Sequence, residues 1–179
     1  MFFLPGWLVA LLTFPGVIVH EVAHRLFCDL TRTPVYDVRY FVPMGNPAGY
    51  VVHGRPTRLV HALLISAGPL IVNTVLCSLL TVGPIYELLV LDGDVRTSPV
   101  LAVLLWLGFS IGMHAFPSRQ DAAVLVEEVR EARGRGPVLL VARAFAGLIA
   151  IANALRIVWF HALYALGVSA AIPLLLTGL

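Results

Sequence analysis

The apolar residues of this chain come in blocks about as long as a bilayer's hydrocarbon core is thick, and this limits its folds more than any other feature. The blocks run from about Phe3 to Leu30, Leu59 to Val82, Pro99 to Phe116 and Pro137 to Leu179. Hydrophobic residues make up 59% of the chain and charged residues 12%, against about 25% charged in a soluble domain. Too little polar surface remains to coat a water-soluble globule. A soluble enzyme, a disordered chain and a disulfide-stapled secreted module are therefore excluded. The expectation is a single all-α polytopic membrane domain over residues 1–179, with a core over about 3–122 and C-terminal helices over about 137–179. A net charge of +2 gives no basic field for nucleic acid. Cys28 and Cys77 lie in or beside apolar blocks and read as small hydrophobes. The opening MFFLPGW lacks the basic region of a cleaved signal peptide.

The fourth block would form roughly 64 Å of helix, about twice the hydrocarbon thickness. It must break, tilt or leave the membrane somewhere, and its polar interruptions place a join near Asn153–Arg156, giving one or two C-terminal spans. The connections set the orientation. Arg25, Arg32, Arg39, Arg55 and Arg58 surround the first, and Arg119, Arg130, Arg133 and Arg135 follow the third block. The second carries Glu87, Asp92 and Asp94 against Arg96. By the positive-inside rule the first and third connections face the cytoplasm, and the N-terminus lies outside. The first connection has structure of its own. Residues 35–42 alternate and are rich in β-branched and aromatic residues, GNPAG follows, and then YVVH, which reads as a small β hairpin. Gln120 to Glu131 suits a short helix lying at the membrane surface.

HEVAH, His20 to His24, is the sharpest motif. On a helix, positions i and i+4 share a face, so both imidazoles can bind one Zn2+. Glu21 beside them is placed as general base on a water that the metal activates. Ionisable residues at the end of an apolar span are costly and indicate function. Zinc requires a third protein ligand and an open position. Cys28 lies too far along the helix; His53, His61, His114, His161, Asp121, Glu127 and Glu128 are the candidates. Asp121 is best placed by topology: it follows the third block on the side where HEVAH ends, just past Pro117. Asn73, within an apolar block, must find hydrogen bonds; it either polarises a substrate carbonyl or joins two helices. His114 is open between a partner behind the ligands, an oxyanion donor and an extra ligand.

HEVAH in the first block, SAGPLIVN (Ser66 to Asn73) in the second and HAFPSRQDA after the third together resemble the site-2 protease family of intramembrane zinc metalloproteases. The resemblance covers roughly residues 15 to 122. It departs from the family pattern at His114, at Ala122 and in the spacing from Pro117 to Asp121. It implies a three-helix catalytic core and zinc held by His20, His24 and Asp121, with Glu21 activating water. It also implies a β segment between the first two core helices that binds an extended substrate. The partners it implies are a membrane-protein substrate and the lipid bilayer. Gly68 would then permit close helix approach. The competing readings are an HExxH protease with Glu127 or Glu128 as third ligand, a catalytically silent membrane scaffold, and a metal transporter. The scaffold gives Glu21 no purpose, and the transporter would need polar residues repeated across several spans.

Overall fold

The computed structural model describes residues 5–91, 93–132 and 136–178, the side chains of Arg156 and Ile157 excepted. Phe3, Asp92, Arg133, Arg135 and Leu179, which enter the block limits and charge balance above, lie outside the described residues. The described chain is mostly helical, with one small two-stranded antiparallel sheet.

The first apolar block does not form one straight helix. It divides into α1 (Gly6–Leu12) and α2 (Phe14–Leu30), which meet at 89°. Pro15 accounts for the break: it has no N–H, and its ring collides with the carbonyl four residues back in a continuing helix. Thr13 sits at the corner, its N–H on the Val9 carbonyl (2.9 Å) and its carbonyl on the Gly16 N–H (3.0 Å). His20 thus lies about 9 Å along α2, past a corner and not at the end of one straight helix through the block.

The hairpin forms where the sequence indicates. Strand β1 (Val35–Arg39) pairs antiparallel with β2 (Tyr50–His53), Val38 opposite Val51 and Arg39 opposite Tyr50. Helix α3 (Leu59–Val90) is longer than the block ending at Val82, because it runs through both Pro69 and Pro84. Helix α4 (Pro99–Met113) ends before His114. Helix α5 (Arg119–Glu131) is amphipathic as expected. Its apolar face is covered by protein, with Leu125 packed among Ala62, Ala142 and Ile149. The last block makes α6 (Pro137–Ala154) and α7 (Phe160–Thr177), joined by a 3-10 turn at Leu155–Val158 and by Trp159 at φ 60°. The join therefore falls within a few residues of the expected place.

Helix α3 is the central element, packed against α2, α4 and α7. Small residues permit this. A Cβ on Gly112 would lie 2.7 Å from Cys77 Sγ and 3.0 Å from Ala165 Cβ, and one on Gly108 would collide with Thr81. A Cβ on Gly68 would meet the Phe27 ring, so the close approach read there is observed. Among the described residues, α3, α6 and α7 are long and apolar enough to cross a membrane, and the bent α1–α2 pair makes a fourth if taken as one span. Helix α4 is apolar but has only 15 residues.

Candidate metal centre

His20, Glu21 and His24 are buried on α2. Gly16, one turn before His20, brings α2 against the end of α4, where a Cβ would lie 2.6 Å from the Ser110 carbonyl carbon. The approach puts His20 Nδ1 at 2.6 Å from the His114 carbonyl oxygen. His24 Nδ1 reaches the Ile65 carbonyl oxygen of α3 at 3.0 Å. That carbonyl is available because the residue four further on is Pro69, which has no N–H to give it.

These two bonds fix the chemistry. A carbonyl oxygen only accepts, so each Nδ1 carries its proton and each neutral ring presents a bare Nε2. The two bare nitrogens face each other at 3.1 Å. Asp121 completes the cluster, with Oδ2 at 3.6 Å from His20 Nε2 and Oδ1 at 3.4 Å from His24 Nε2. Three acceptors converging without a proton repel one another unless a cation lies between them. Bonds of about 2.0–2.1 Å in tetrahedral geometry would space the ligand atoms about 3.3 Å apart, so the donor set fits zinc.

Asp121 is held by its local sequence. Ser118 caps α5, with its Oγ accepting from the Asp121 N–H (3.2 Å) and its own N–H donating to Asp121 Oδ2 (2.7 Å). This reciprocal capping box points the carboxylate back from the first turn of the helix towards α2.

Glu21 borders the same cavity, of about 740 Å³, as the three ligand residues. Gly49, just before β2, packs on it: a Cβ there would lie 2.8 Å from Glu21 Cγ. The other cavity walls include Trp7 and Ala10 of α1 and the hairpin loop from Met44 to Gly49.

His114 and Asn73 stand behind the ligands. The His114 ring Nε2 is 2.8 Å from Thr13 Oγ1, which donates to the Val9 carbonyl (2.7 Å), so the ring is the donor. Its ring therefore ties down the α1–α2 corner while its backbone carbonyl holds His20. Asn73 is fully buried and gives its amide hydrogens to the carbonyls of His114 and Ile111, each at 3.1 Å. Those hydrogens are committed to backbone and do not face the cavity.

The other candidate ligands are not part of this compact cluster. Glu128 pairs with Arg55 at 2.7 Å, and Glu131 with the same guanidinium. Together Glu131 and Glu128 hold the Arg55 proton more firmly than usual. His53 and His61 bond to the Gly54 carbonyl and to Thr57, and the His161 ring stacks on Phe116. Among the described residues, the His/Cys/Asp/Glu cluster compact enough for one ion is His20, His24 and Asp121. Sequence reading missed Gly16, whose signal is a small residue one turn before a ligand, and the GFSIG spacing of Gly108 and Gly112. Comparison with known protein families, curated proteins and solved structures finds no match for this chain.

Proposed function

We propose that this chain is a zinc-dependent intramembrane endopeptidase of the site-2 protease kind, cleaving transmembrane or membrane-proximal segments of membrane proteins. The observation that carries the reading is the convergence of two bare imidazole nitrogens and a carboxylate, 3.1 to 3.6 Å apart, beside Glu21 in one cavity. A zinc ion bound there supplies Lewis-acid polarisation of a carbonyl and acidifies water for attack. Glu21 takes the proton from the attacking water and delivers it to the departing amide nitrogen. His20 and His24 remain neutral, each keeping its Nδ1 proton on a backbone carbonyl. Strand β2 pairs with β1 on one side only, and its residues border the cavity, so an extended substrate can add to its other edge.

A bilayer setting is supported by the outward faces of the helices. Leu79 on α3, Leu140 and Ile151 on α6, and Leu163 and Leu175 on α7 are 60 to 83% exposed. Apolar surface of that extent, on helices of spanning length, suits lipid rather than water. The arginines of the connection before α3 and of the one that contains α5 favour, by the positive-inside rule, a metal centre towards the cytoplasmic face.

The test uses the full chain purified in detergent, with zinc measured by elemental analysis and cleavage measured on single-span membrane substrates. Glu21→Gln should retain one zinc per chain and lose about 10²–10⁴-fold in rate. Absence of zinc from the wild-type chain, or undiminished cleavage by Glu21→Gln, would refute the proposal.

A further inference from the structure

We infer that Asn153, on α6 and outside the three-helix core, is a positioning residue for the zinc ligand Asp121, acting through the Pro117–Ser118 peptide. The inference rests on the zinc reading above. Asn153 is buried at the C-terminal end of α6. Its Nδ2 donates to the Pro117 carbonyl at 3.1 Å and to the Ile149 carbonyl one turn back, also at 3.1 Å. The Pro117 carbonyl and the Ser118 N–H belong to one peptide unit. That N–H is the group that holds Asp121 Oδ2 at 2.7 Å. A peptide unit is planar and stiff, so fixing its oxygen fixes the direction of its N–H. The run from Asn153 Nδ2–H through the Pro117 carbonyl and the Ser118 N–H to the carboxylate is also a hydrogen-bond chain in a low-dielectric setting, where each bond polarises the next.

Stability alone does not account for an asparagine at this place. Its Oδ1 is buried and has no hydrogen-bond partner among the described residues. A half-satisfied buried amide costs folding free energy that an apolar residue would not. What the amide supplies is a donor aimed at Pro117. A parallel arrangement serves the other side of the site: Asn73 of α3 donates to the His114 carbonyl that also receives His20 Nδ1–H. The connection between α4 and α5 is thus held at two carbonyls by two amides, one from α3 and one from α6. Leu125 of α5 packs on Ala142 and Ile149 of α6, so α6 both seats α5 and aims its first peptide.

The experiment measures zinc affinity by chelator competition and the visible spectrum of the Co2+-substituted protein, on the full chain in detergent, with wild type first. Loss of an outer partner of a metal ligand costs about 10–100-fold in affinity. Asn153→Ala should therefore bind zinc at least about tenfold more weakly and shift the Co2+ bands. Asn153→Asp, of the same size but without the N–H donors, carries the same expectation and replaces the alanine variant if that one fails to fold. Leu139→Val trims a buried residue near the other end of α6 and should leave affinity and spectrum unchanged. Wild-type affinity and spectrum in the folded Asn153 variants, or an equal loss in Leu139→Val, would overturn the inference alone. A wild-type chain that binds no zinc would overturn the zinc reading with it.

Discussion

Pro69 offers a perturbation whose effects on stability and on metal binding have opposite signs. It lies inside α3, is fully buried, and removes the N–H that would occupy the Ile65 carbonyl. Pro69→Ala restores that N–H, so the Ile65 carbonyl gains a helical donor in competition with His24 Nδ1–H, now at 3.0 Å. Removing proline from a helix interior returns up to about 3 kcal/mol. Deleting two buried methylenes costs about 1.6 kcal/mol at about 0.8 each. The net effect on the fold is about 1 kcal/mol in its favour. Zinc binding moves the other way. A His24 ring that shares its acceptor is oriented less firmly, and loss of such a partner weakens metal binding about 10–100-fold. Thermal unfolding of the metal-free protein in detergent, alongside zinc competition with a chromophoric chelator, reads both quantities. Wild-type zinc affinity in a folded Pro69→Ala protein would refute the reasoning, because it would show that the freed carbonyl does not set the ligand.

Two further substitutions test the rest of the site. Gly16→Ala places a Cβ against the Ser110 carbonyl oxygen, closer still than the 2.6 Å to its carbon, so α2 must retreat by more than about 1 Å to reach ordinary contact. That would stretch the 2.6 Å His20–His114 bond beyond the usual limit of about 3.2 Å; thermal unfolding should show a loss of about 1–3 kcal/mol from overpacking, and chelator competition a weaker site. Asp121→Asn should weaken zinc strongly, whereas His114→Ala should keep it, because His114 holds His20 through its backbone; elemental analysis of both proteins decides, and the reverse pattern refutes the ligand assignment.

What could be read from the sequence follows the range of the signal. HEVAH is a local pattern: two side chains four apart share a helix face whatever surrounds them, so His20, His24 and Glu21 are legible without a fold. The hairpin is legible for the same reason, from alternation either side of a turn. Asp121 needed topology as well, and the Ser118 cap that aims it is again local. The corner at Thr13 was signalled by Pro15 but outweighed by the continuous hydropathy of the block, which carries no information about direction. The extension of α3 past Val82 went unread for the opposite reason, since Gly83 and Pro84 signal a stop that the helix ignores. The apolar face of α5 was visible, yet its partner was not: an amphipathic pattern says that one face is covered and not whether lipid or α6 covers it. Least legible were the anchors of the ligands, because the carbonyls of Ile65, His114 and Pro117 belong to groups that every residue carries.

Those carbonyls nevertheless share an origin that can be traced to residue type. Inside a helix each carbonyl is taken by the N–H four residues on, so a buried histidine packed against intact helices finds no free acceptor. Acceptors appear only where that ladder fails. Pro69 interrupts it at Ile65, within α3. Helix α4 ends at Met113, and its last carbonyls have no intrahelical donor. His114 and Pro117 follow directly in a connection with no ladder at all. The three positions receive His24 Nδ1–H, His20 Nδ1–H and Asn153 Nδ2–H, respectively. Each recipient bond bears on the cluster: two fix imidazoles, and the third fixes the peptide that holds the Asp121 carboxylate. Helix breakers in this chain therefore do more than shape it. They release backbone acceptors around the cluster, and the buried N–H groups that these satisfy take an orientation that suits a metal site.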